Sequence, residues 1–89
     1  MEFVYTKHAE DKLKEPESKH LGINKAVLES VVRGSKFVED LGNSTRSTGQ
    51  FSAELSLVVV YKRESGKMKI ITFFPAEKGR YESKILRGR

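Results

Sequence analysis

The sequence predicts an α+β domain, with two N-terminal helices packed on a mainly antiparallel sheet of about four to five strands. Two observations carry that prediction. Residues 54–81 hold two apolar, β-branched and aromatic runs, LVVVY at 57–61 and IITFF at 70–74, on either side of Glu64-Ser65-Gly66-Lys67. That pattern reads as a central β-hairpin with the four polar residues at its tip, and its unbroken apolar runs place both strands inside a sheet. Ahead of it, residues 6–33 show helical spacing of apolar residues, punctuated by Pro16 and Gly22. Eighty-nine residues hold a single domain, 1–89, whose core suffices for folding but not for a deep cofactor pocket.

In chain order, residues 2–5 (EFVY) read as a first strand, and Thr6 as the N-cap of a helix burying Ala9 and Leu13. Pro16 stops or kinks that helix, because proline lacks the amide hydrogen and disfavours helical geometry in the residue before it. Residues 17–20 carry on as a short helical piece ended by Gly22. Asn24 caps the main helix, 25–33, with Ile23 and Leu28 as a hydrophobic staple, Val27, Leu28, Val31 and Val32 as its apolar stripe, and Gly34 as its terminating glycine. Residues 36–41 form a strand, 42–44 (GNS) a turn, and 45–51 a polar strand with a bulge at Gly49. After the hairpin the chain leaves the sheet at Pro75, and residues 81–86 are expected to form one amphipathic turn holding Ile85 and Leu86 against the body.

The net charge of +5 is unevenly spread. Residues 1–61 carry eight Lys/Arg against nine Asp/Glu, whereas residues 62–89 carry nine Lys/Arg against three Glu. An excess confined to the hairpin and the residues behind it attracts a polyanion, with nucleic acid first and an acidic protein second. There is no cysteine, and His8 and His20 lie at no metal-ligand spacing, so neither a metal nor another cofactor is expected. With neither a signal-peptide pattern nor an apolar run of spanning length, the expected location is cytoplasmic and off the membrane.

Three local patterns carry a resemblance. Thr6-Lys7-His8-Ala9 opens a helix directly after the first strand, Gly22-Ile23 precedes a second helix, and a Val-Val-Tyr strand is followed by Ile70-Ile71-Thr72-Phe73-Phe74-Pro75. Together with the order of elements, they resemble the small domains related to the RelE/ParE and BrnT toxins, over roughly residues 2–86. The resemblance implies a microbial-ribonuclease-like architecture, RNA or the ribosome as target, metal-free RNA cleavage, and an acidic antitoxin as protein partner. It also implies that the ending Ala76-Glu77-Lys78-Gly79-Arg80-Tyr81-Glu82 lies at or near the cleft. BrnT-like sequences place arginine near the positions held here by Phe73 and Phe74. That departure keeps open a non-catalytic module binding nucleic acid or the ribosome, and an antitoxin or other protein-interaction domain.

Cleavage through the neighbouring 2′-hydroxyl requires a base, an acid and cations around a phosphate gaining negative charge. Lys78 and Arg80 supply cations, and Arg46 adds a third if its strand neighbours the hairpin; an arginine fork holds two phosphate oxygens at once. Tyr81 is suited to stacking on a base or to proton transfer, and stacking contributes about 1–3 kcal/mol. His8 is the natural acid or base, since imidazole changes charge near neutrality. The expected catalytic set is therefore His8, Arg80 and Tyr81, and the RNA-binding set Arg46, Lys78, Arg80 and Tyr81. A plainer role competes for each: His8 as a surface hydrogen-bonding residue, Tyr81 packed on Pro75 or Ile85, Lys78 and Arg80 as solvated cations, and Arg46 paired with Glu39, Asp40 or Glu54.

Overall fold

The structure is a computed structural model and describes residues 2–77. The elements run β1 (Glu2–Tyr5), α1 (Lys7–Leu13), α2 (Pro16–Leu21), α3 (Lys25–Gly34), β2 (Phe37–Asp40), β3 (Thr45–Gln50), β4 (Leu55–Glu64) and β5 (Lys67–Glu77). The fold is α+β, with one five-stranded sheet in the order β1-β5-β4-β3-β2. The sheet is mixed: β1 runs parallel to β5, and the other three pairings are antiparallel.

Three helices stand where two were expected, because Pro16 opens a helix as well as ending one. At the first helical position its missing N–H removes nothing, and α2 runs to Gly22, whose φ of 78° is a left-handed cap. Asn24 Oδ1 accepts from the Val27 amide at 2.9 Å and starts α3. Gly34 is the last residue of α3 rather than a left-handed cap, with Ser35 in extended backbone following it.

The core lies between the helices and one face of the sheet. It joins Ala9, Ile23, Leu28 and Val31 from the helical layer to Leu57, Val59, Tyr61, Met68, Ile70 and Phe73 from β4 and β5. Gly49 belongs to this face, opposite Leu57 in regular register, and is not a bulge. A Cβ there would meet both Val31 methyl carbons at 3.3 Å, so glycine lets α3 approach β3. The irregularity lies instead on β5, where Ile71 is the extra residue opposite the step from Val60 to Tyr61.

Pro75 does not end β5, which continues to Glu77 opposite Leu55. β1 pairs only with residues 67–70, so beyond Ile70 the outer edge of β5 faces no strand among the described residues. A residue without N–H is tolerated on such an edge. The hairpin tip is a two-residue turn, Ser65 (φ 53°) and Gly66 (φ 76°), the paired positive φ values of the turn that matches strand twist.

Candidate nucleic-acid interface

Thr6 determines where His8 falls. Its hydroxyl accepts from the Ala9 amide at 3.1 Å, capping α1, and donates to the Ile71 carbonyl at 3.0 Å. Its own amide donates to the Ile70 carbonyl at 3.1 Å. One residue thereby caps the helix and fastens it to β5. Two positions on, the exposed His8 lies with Nε2 3.2 Å from Thr72 Oγ1.

Thr72 lies opposite Val60, Val60 opposite Arg46, and Arg46 opposite Glu39. These four residues form one cross-strand row on the face away from the helices, since their neighbours Val59 and Phe73 point into the core. Neighbouring strands are about 4.8 Å apart, so the backbones at Arg46 and Thr72 are separated by about 10 Å. The row brings Arg46 towards His8, but its Nη2 donates to Glu39 Oε1 and its side chain is only 15% exposed. The pairing anticipated as the alternative for Arg46 is thus present, and much of its charge is already met.

Lys78, Arg80 and Tyr81 lie outside the described residues, as does the amphipathic turn expected over 81–86. The last described residue, Glu77, is five positions along β5 from Thr72. The hairpin tip lies at the other end of the strand, ten residues away, or roughly 30 Å at strand spacing. The cations of residues 62–69 that the structure describes therefore cluster at the end of β5 far from Glu77. The tip is also partly neutralised. Lys62 and Lys69 lie 3.4 and 3.2 Å from Glu64, and Lys67 lies 3.9 Å from Glu2. Hydrogen bonds from Lys69 and then Lys62 hold the Glu64 carboxyl below its ordinary range.

Two residues at the α1–β5 edge were not singled out in the sequence. Thr72 is the one polar residue in the IITFF run. Lys12 places its ammonium 5.4 Å from the Phe73 ring centre and 5.9 Å from that of Phe74. The i, i+4 spacing from His8 was the available signal. Phe73 is fully buried in the core, so at that position an aromatic ring replaces any exposed cation.

Among the described residues no group of three or more His, Cys, Asp or Glu is placed to hold a metal ion, and no helix is long and apolar enough to cross a membrane. Compared with protein-family models, curated proteins and solved structures, the chain matches none.

Proposed function

We propose that this is an RNA-binding, RelE-like domain and a metal-independent endoribonuclease, acting at the α1–β5 edge together with Lys78, Arg80 and Tyr81. The observation that carries the reading is the 3.2 Å contact between His8 and Thr72, on the strand that runs on to Glu77 and the basic stretch behind it. In the reaction, the 2′-oxygen attacks phosphorus, the bond to the 5′-oxygen breaks, and a 2′,3′-cyclic phosphate forms. His8 exchanges a proton with one of those two oxygens, Lys78 and Arg80 stabilise the phosphorane charge, and Tyr81 stacks on a base or carries the second proton.

The test is cleavage of free or ribosome-bound RNA with EDTA present. His8→Ala is expected to lower the rate by about 10²–10⁴-fold, the range of positioned acid–base groups. The Arg80→Ala, Tyr81→Ala pair is expected to abolish cleavage. Wild-type cleavage unchanged in both variants would end the catalytic reading.

The burial of Phe73, and its place near an arginine position of BrnT-like sequences, favours a second reading without chemistry. A binding module would show salt-sensitive RNA affinity and no product.

A further inference from the structure

We infer that the α1–β5 edge is a phosphate subsite for a nucleic-acid backbone, with Lys12 as its cation and His8 and Thr72 as its hydrogen-bonding groups. This deepens the RNA-binding reading and rests on it for the identity of the ligand.

His8 and Lys12 are one helical turn apart on the same face of α1. Both reach β5 on the stretch beyond β1, His8 at Thr72 and Lys12 over Phe73 and Phe74. The backbone there is fixed from two sides, by the Thr6 cap to Ile71 and by the β4–β5 ladder. Two nearby lysines already have carboxylate partners: Lys7 pairs with Asp11 at 3.4 Å and Lys25 with Glu10 at 3.1 Å. Lys12 has no carboxylate within ion-pair distance among the described residues and is held against rings instead. An ammonium lying over aromatic faces, with its stem half-buried, gives up less side-chain freedom on meeting an anion than an extended surface lysine does. The ligand class is a phosphate ester, whose oxygens accept from the Lys12 ammonium, the His8 N–H and the Thr72 hydroxyl. Charge on an uncovered strand edge also deters edge-to-edge pairing. Binding measurements separate the two roles.

The experiment titrates the full chain with inorganic phosphate and with uridine 3′-phosphate by NMR, and measures single-stranded RNA affinity against salt, for wild type, Lys12→Gln, Lys12→Arg and Lys14→Gln. Phosphate and nucleotide are expected to move the His8 ring and Thr72 resonances in wild type and Lys12→Arg. Lys12→Gln is expected to lose most of that response. Its plot of log affinity against log salt should be shallower by about 0.7, one phosphate contact on a single strand, with Lys14→Gln unchanged. If RNA binds and Lys12→Gln alters neither slope nor resonances, the subsite is wrong and the RNA reading survives. Should phosphate and nucleotide move His8 through Lys12 while RNA fails to bind, the subsite stands and the RNA reading falls. Silence from all three probes overturns both.

Discussion

Replacing Tyr61 with Phe is expected to destabilise the fold by about 1–3 kcal/mol, the cost of a buried hydroxyl left without a partner. Tyr61 and Ser47 are diagonal neighbours across β4 and β3, with their hydroxyl oxygens 2.9 Å apart. Ser47 is fully buried and Tyr61 is 8% exposed, so water does not replace a missing partner. Tyr61→Phe strands the serine hydroxyl, and Ser47→Ala strands the phenol. The double variant removes both polar groups together, and its loss should fall short of the summed single losses by about 1 kcal/mol or more. Urea denaturation with unchanged m-values gives the four stabilities, and each kcal/mol corresponds to about 4–8 °C in Tm for a domain of this size. Strictly additive losses would refute the reasoning, because they would mean that the two hydroxyls do not depend on one another.

Two further outcomes are expected. Tyr5 donates to Glu29 Oε2 at 2.5 Å, and burial first, then that hydrogen bond, pushes its phenol well above the ordinary value of 10.0. Above pH about 10 the unfolded chain releases a proton that the folded protein keeps, so this contribution to stability is present below that pH and falls as pH rises. Denaturation between pH 9 and 11 should show a shallower decline in Tyr5→Phe than in wild type; equal slopes would count against the raised phenol. At the hairpin tip, Ser65→Asn places the preferred Asn-Gly pair on two positive-φ positions and should raise stability by about 0.5–1 kcal/mol, read as a higher Tm.

Much of the architecture was legible because local chemistry set it. The Thr6 and Asn24 caps, the Gly22 stop and the Ser65-Gly66 turn each act within four residues, and each forms at its expected place. What escaped was decided between distant segments. Nothing in EFVY says that it pairs parallel to residues 67–70, and Gly49 reads as a bulge until Val31 is seen against it. Pro75 reads as a strand breaker unless the shortness of β1 is known, since only that leaves β5 an outer edge. The same limit applies to the candidate site. His8 was visible as a side chain of the right type, but Thr72 and Lys12 acquired meaning only from the docking of α1. The charge excess was legible in amount and not in place, because the hairpin cations already meet Glu64 and Glu2 and the remaining cations follow Glu77, outside the described residues.

The parallel pairing of β1 with β5 ties the order of assembly to the order of synthesis. Glu2 meets Lys67, so β1 has no neighbour in the sheet until residues 67–70 have been made. α1 is anchored through the same contacts, and its cap to Ile71 cannot close earlier. α1 therefore waits for β5 with its apolar side exposed, and loop closure over more than sixty residues precedes the gain from that pairing. Folding should accordingly run at the slower pace of domains rich in long-range contacts.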